Sequence, residues 1–123
     1  MLIVVQDEQP KIAMGLMSYI PKLNNLAAVK REIDWYHADK SRDLLLWREP
    51  DTMHYVAVLG VEKVYDSVLL RMLAFGTEVN PENKAQVGKA IYQGLLSRYP
   101  DKFIMGTIAT QEIINEWYAL NHE

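Results

Sequence analysis

The sequence predicts a single α+β domain in which helices cover a mixed, mostly antiparallel sheet. Three observations carry that reading. Three apolar runs, Leu44–Trp47, Tyr55–Leu59 and Val68–Phe75, follow one another with turn residues between them, the pattern of an antiparallel meander. Segments with apolar residues at helical spacing stand both before and after the meander. The 123 residues suit one domain, 1–123, which can bury roughly two-thirds of its unfolded surface.

The elements follow in order. Leu2–Val5 is short, apolar and partly β-branched, hence a strand. Pro10 suits a first helical turn, and Ile12, Leu16, Tyr19 and Ile20 repeat at helical spacing until Pro21 ends the run. A second helix starts near Asn25, an N-cap, with Leu26, Val29, Ile33 and Tyr36 on one face. Glu49-Pro50-Asp51-Thr52 and Tyr65-Asp66-Ser67 are the two reversals of the meander. A third helix places Val87, Ala90, Ile91, Gly94 and Leu95 together, Lys102–Ala109 is a β-rich run, and Thr110 caps a last helix carrying Ile113, Ile114, Trp117 and Leu120. The predicted order is β-α-α-β-β-β-α-β-α.

Composition narrows the function classes. Half of the residues are hydrophobic and 24% are charged, as in a folded domain, and at a net charge of -3 no basic face stands out for nucleic acid, which leaves room for a locally basic pocket. Without cysteine there are no disulfides or thiolate metal sites, and a cytoplasmic location is expected. His37, His54 and His122 have no ligand spacing with carboxylates, so no metal site is expected. Met1-Leu2-Ile3-Val4-Val5, followed by Gln6-Asp7-Glu8, lacks the basic leader and cleavage site of a signal peptide, and no stretch approaches the ~20 apolar residues of a membrane span.

The stretch from Val68 to Arg98 carries the chemistry. A strand opening onto a helix start presents unpaired N–H groups and the positive end of a helix dipole, which suits a pyrophosphate, and Lys84 and Lys89 add positive charge there. Two helix starts fit the residues. Asn80-Pro81-Glu82 reads as N-cap, first helical position and acidic first turn. Gly88, costing about 1 kcal/mol in a helix interior relative to Ala, favours a loop and a helix from near Gln86.

This order, with Gly88-Lys89-Ala90 after the fourth strand, resembles the GCN5-related N-acetyltransferases (GNAT), whose loop Q/R-x-x-G-x-G/A holds the pyrophosphate of acetyl-CoA on backbone amides. More narrowly it is similar to the RibT-like group, short acetyltransferase-like proteins encoded with riboflavin-synthesis enzymes in Gram-positive bacteria. The residues that carry this are Lys11-Ile12-Ala13-Met14-Gly15-Leu16, Gly60-Val61-Glu62-Lys63, Leu70-Arg71 and Val79-Asn80-Pro81. The Q/R position falls on Ala85, with Lys84 one residue early, and Gly76–Val79 look inserted, so Phe75 or Val79 ends the strand. The chain also stops at Glu123, before the sixth and seventh strands of a full-length acetyltransferase, which implies a C-terminally truncated fold.

The resemblance implies acetyl-CoA as co-substrate, held by Phe75, Val79, Lys84, Gln86, Val87, Gly88, Lys89 and Ala90, with the thioester carbonyl polarised by the N–H of Phe75 or its neighbour. It implies Tyr118 as the acid that protonates the CoA thiolate, since a phenol with a pKa of about 10 still carries its proton at neutral pH. Glu62, at a strand end near the acceptor, is the expected general base for an unidentified amine. Arg71, interrupting an apolar strand, either holds an anionic substrate group or makes a structural ion pair. A catalytically inactive CoA-binding or partner-binding module is the competing reading, and an uncovered sheet edge implies a homodimer.

Overall fold

The computed structural model describes residues 1–6 and 10–122; Asp7 and Glu8 of the N-terminal reading and the terminal Glu123 lie outside them. Five strands form one sheet in chain order: β1 (Leu2–Val4), β2 (Arg42–Arg48), β3 (Tyr55–Val64), β4 (Ser67–Phe75) and β5 (Phe103–Gly106). The first four pair antiparallel, while β5 joins β4 in parallel. Parallel pairing needs a long crossover, and α3 (Lys84–Arg98) supplies it. The remaining helices are α1 (Lys11–Met17), α2 (Leu26–His37) and α4 (Gln111–Asn121), with a 3-10 turn at Pro21–Leu23. Fold class and element order are those the sequence predicts.

The sheet is covered on both faces. Leu44, Leu46 and Val58 pack with Ala13, Leu16, Met17, Val29, Ile33 and Tyr36 of α1 and α2. Leu45, Ala57, Leu59 and Val61 pack with Val87, Ile91, Leu95, Ile114 and Trp117 of α3 and α4. A strand covered on both sides reads as a continuous apolar run rather than an alternation. That is the character of Tyr55–Leu59, and Val58, Leu59 and Val61 are fully buried. Each such side chain contributes roughly 1.5–3 kcal/mol relative to exposure.

One irregularity shapes β4. Gly60 pairs with Met72 and Val61 pairs with Leu70, so Arg71 is an extra residue, a β-bulge. Before it, Val68 and Leu70 face α3 and α4; after it, Met72 and Ala74 face α1 and α2. Arg71 itself points outward.

Several local expectations are corrected. The first helix ends at Met17 and buries Ala13, Leu16 and Met17, leaving Ile12 and Tyr19 half exposed. Tyr19 lies past the helix end, where Ser18 Oγ donates to the Gly15 carbonyl at 2.6 Å. Asn25 caps α2 as expected, accepting the Ala28 amide at 2.9 Å, but Leu26 is exposed. Thr110 stands before α4 without capping it: its oxygen accepts the Thr107 amide at 2.9 Å while its hydrogen goes to the Leu70 carbonyl. The strand expected over Lys102–Ala109 is confined to Phe103–Gly106, since α4 begins just beyond it.

Candidate active site

The gap between β4 and β5 is the central feature. The two strands pair only from Ser67–Leu70 to Phe103–Gly106, and β4 then continues to Phe75 alone. Gly106 turns β5 away: its amide donates to Gln111 Oε1 at 2.8 Å, and a Cβ there would lie 2.6 Å from the Gln111 amide nitrogen. Thr110 pins the turn to β4 through the Leu70 carbonyl and accepts the Thr107 amide at 2.9 Å. The strand ends at Phe75, not Val79; Val79 packs on the core and donates its amide to the Gly76 carbonyl at 3.1 Å.

Strand alternation fixes which amides line this gap. The Gly76 amide donates toward β3, to the Val56 carbonyl at 2.8 Å. Backbone groups alternate in direction along an antiparallel strand, so the amides of Leu73 and Phe75 point away from β3 toward the open side.

The start of α3 settles between the two expected positions. Asn80 Oδ1 accepts the amides of Glu82 and Asn83 at 2.9 and 3.1 Å, Asn83 Oδ1 accepts the Asn80 amide at 2.8 Å, and α3 begins at Lys84. The amides of Lys84 and Val87 reach the carbonyls of Asn80 and Asn83, leaving those of Ala85 and Gln86 without an acceptor among the described residues. These two are the orphan donors of a helix start. Lys84, Gln86 and Lys89 are exposed there, and Lys84 Nζ lies 5.7 Å from the centre of the Phe75 ring. The pyrophosphate cradle expected to run through Val87, Gly88, Lys89 and Ala90 is corrected: these residues lie inside the helix, where their amides are committed to the helical ladder. Gly88 is buried, and a Cβ on it would overlap Trp117 Nε1, so its lack of a side chain serves the contact between α3 and α4.

A cavity of about 420 Å³ also adjoins the start of α3, on the side of the β2–β3 turn, where Glu49, Asp51 and Glu78 line it together with Val79 and Gln86. Three carboxylates oppose a pyrophosphate. The free donors on the open side are the edge amides of Leu73 and Phe75 and, at the start of α3, the amides of Ala85 and Gln86, with Lys84 beside the Phe75 ring.

Glu62 and Arg71 meet on the α2 face. Arg71 Nη1 donates to Glu62 Oε1 at 3.2 Å, and Arg42 Nε stands 3.8 Å from Oε2. Both guanidinium groups lie over Trp35, at 3.8 Å for Arg42 and 5.0 Å for Arg71. Arg42 Nη1 also donates to the Trp35 carbonyl at 3.0 Å. Beneath them the Tyr36 phenol packs over Gly60. Burial above all pushes this hydroxyl up, with Glu32 and Glu62 adding and Arg71 and Arg42 opposing. Sequence reasoning placed Tyr36 on a core face and missed its position here; the glycine in the middle of a buried strand was the available signal.

Tyr118 lies on α4, on the opposite face of the sheet from Glu62. Half exposed, it stacks on His122 with ring centres 3.9 Å apart, and its hydroxyl bonds to no described residue. His122 Nδ1 donates to the Tyr118 carbonyl at 2.7 Å, which holds the stacked ring in place. Burial holds the Tyr92 hydroxyl above the ordinary phenol value, with Tyr118 adding to the effect. Among the described residues no cluster of His, Asp and Glu could hold a metal ion, and no helix is long and apolar enough to cross a membrane.

Comparison with known proteins adds to this geometry. No family model matches the chain. It is 29% identical over 117 residues to an uncharacterized N-acetyltransferase encoded in the lysA 3' region of Bacillus methanolicus, covering 94% of this chain and 93% of that protein. Among solved structures, aminoglycoside 6'-N-acetyltransferase AAC(6')-Ih from Acinetobacter baumannii superposes with a TM-score of 0.65 at 14% identity, over 98% of this chain and 88% of that one. A GNAT family acetyltransferase from Staphylococcus aureus gives 0.62 at 12% identity, over 87% and 84%. A chimeric spermidine N-acetyltransferase built from the Vibrio cholerae enzyme SpeG and hSSAT gives 0.65 at 7%, over 98% and 80%. The fold is that of the GNAT acetyltransferases.

Proposed function

We propose that this chain is an acetyl-CoA-dependent N-acetyltransferase acting on an amine acceptor. One observation carries the reading: the unpaired end of β4, with the Leu73 and Phe75 amides on its open side, leads directly to a helix start whose Ala85 and Gln86 amides are free. An extended thioester tail and a pyrophosphate need those two kinds of donor in that order. The likeness to the Bacillus methanolicus protein, named as an N-acetyltransferase, supports the same activity.

In this reading the Phe75 amide or its Leu73 neighbour stabilises the oxyanion that forms on the thioester carbonyl. Lys84 and Lys89, with the Ala85 and Gln86 amides, hold the pyrophosphate. Glu62, acting through a water because its oxygens face two arginines, takes the proton from the attacking amine. As the C–N bond forms and the C–S bond breaks, Tyr118 gives its proton to the departing sulfur. The amine enters on the α2 face, where Arg71 holds an anionic group of the acceptor. A link to riboflavin metabolism rests on the RibT-like residues alone.

An inactive CoA-binding module is the second reading. It is favoured by Glu62, whose carboxylate lies between Arg42 and Arg71 rather than free. A homodimer closing the β5 edge is compatible with either, and Phe103 and Met105 are exposed there. The deciding experiment is a thermal melt with acetyl-CoA together with an assay of CoA release over a panel of amines. Ligand at about 100 times its dissociation constant should add ~2.7 kcal/mol of stability. An unchanged melt at millimolar acetyl-CoA defeats both readings, whereas a raised melt without CoA release leaves the module.

A further inference from the structure

The Tyr36 phenol has no assigned task and no hydrogen-bond partner among the described residues. Its residue is only 1% exposed, yet its oxygen makes no hydrogen bond to any described residue. The unpartnered side-chain atoms that are also fully covered are Arg42 Nε and Arg48 Nε. The Tyr36 oxygen is not among them, so it retains a small contact with solvent. Gly60 makes room for it, since a Cβ there would overlap the phenol Oη and Cζ. A glycine in a buried strand marks a place where another group approaches closely.

The surroundings have more donors than acceptors. Two guanidinium groups face the single carboxylate of Glu62, and Arg42 Nε, 3.8 Å from it, is out of hydrogen-bond reach. Arg42 of β2, Glu62 of β3 and Arg71 of β4 carry one net positive charge among themselves, which Glu32 of α2 opposes at the phenol. Burial keeps the phenol protonated, so it joins the set as a neutral donor. Arg71, 39% exposed and using one nitrogen on Glu62, has guanidinium N–H groups to spare.

We infer that the Tyr36 hydroxyl is a binding group of the acceptor site, donating a hydrogen bond to an oxygen of a carboxylate or phosphate carried by the amine substrate, with Arg71 as the ionic partner. The inference rests on the transferase reading for the amine, but the anion site is defined by Tyr36, Gly60 and the arginine cluster themselves. It makes the acceptor an amino compound with an anionic group, not a polyamine.

The test is calorimetric titration, with CoA present, of β-alanine, phosphoethanolamine and ethanolamine, which share an aminoethyl group and differ in carrying a carboxylate, a phosphate or a hydroxyl. At least one anionic probe should bind at millimolar concentration in preference to ethanolamine, and its preference identifies the anion. Tyr36→Phe should weaken that probe about 10- to 100-fold, the loss of one hydrogen bond to a charged group, with a melting temperature equal to that of the wild type. Equal affinity in Tyr36→Phe, no binding of either anionic probe, a preference for ethanolamine, or a lowered melt showing a structural partner for the hydroxyl would each overturn it. Binding is read without turnover, so anion binding lost in Tyr36→Phe, in a protein that releases no CoA, upholds this site and removes the transferase reading.

Discussion

The indole of Trp117 occupies the space that a side chain on Gly88 would need. The contact joins α3 to α4 beneath the sheet, and it turns a glycine that reads in sequence as a phosphate-loop residue into a packing residue. Gly88→Ala gains about 1 kcal/mol of helix propensity but must displace a buried tryptophan. Gly88→Val adds further bulk, so overpacking of about 1–3 kcal/mol or more should dominate. Urea unfolding should show both variants destabilised, valine more than alanine. Valine-variant protein as stable as the wild type would contradict the contact.

Gly15 provides the opposite case on α1. It is exposed, and nothing lies within 4 Å of where its Cβ would stand. Gly15→Ala should therefore stabilise the protein by about 0.5–1 kcal/mol. The same unfolding measurement checks it, and a loss of stability would show that the first helix is placed wrongly.

Tyr118→Phe keeps the stack on His122 and the half-exposed ring, while removing the proton. Its melting temperature and CoA affinity should match the wild type. If the phenol is the acid, turnover falls by something like 10²- to 10⁴-fold. Unchanged CoA release with the best amine would clear the residue of that role.

Alkaline pH should unfold this protein through two tyrosines. Burial raises Tyr36, and burial followed by donation of its hydroxyl to Asp43 at 2.6 Å raises Tyr99. Above the unfolded value of about 10, the unfolded chain loses these protons while the folded chain keeps them, so stability falls as pH rises. Each group contributes a slope of up to about 1.4 kcal/mol per pH unit. Urea melts between pH 8 and 11 should show the decline, and Tyr99→Phe should flatten it. A stability flat to pH 11 would place both hydroxyls in contact with water.

The order of elements was legible because each signal was local: turn residues between apolar runs, Asn25 as a cap, helical spacing around Val29 and Ile33. What failed depends on partners distant in sequence. The α1 face shifted to Ala13 and Met17 because the helix stops at Met17, before Tyr19. The start of α3 was ambiguous because Asn80 and Asn83 bond reciprocally, a device that pattern alone cannot separate from an ordinary cap. Thr110 reads as a cap in any sequence, but its oxygen takes the Thr107 amide while its hydrogen goes to a β4 carbonyl 40 residues earlier. Glu62 and Arg71 were each singled out, but their pairing, and the unbonded Tyr36 beside them, required the register of three strands.

The extra residue at Arg71 makes β4 a strand with two phases. In an uninterrupted strand, Leu70, Met72 and Ala74 would share one face, yet here Leu70 belongs to one core and the other two to the second. Removing Arg71 is therefore not the loss of one charge. It would invert every side chain from Met72 to Phe75, driving Met72 and Ala74 toward α3 and Leu73 and Phe75 toward α1. The same inversion would swing the open-edge amides back toward β3. One inserted residue thus lets a single strand serve as wall for two separate interiors, and any shortening there would be paid in both at once.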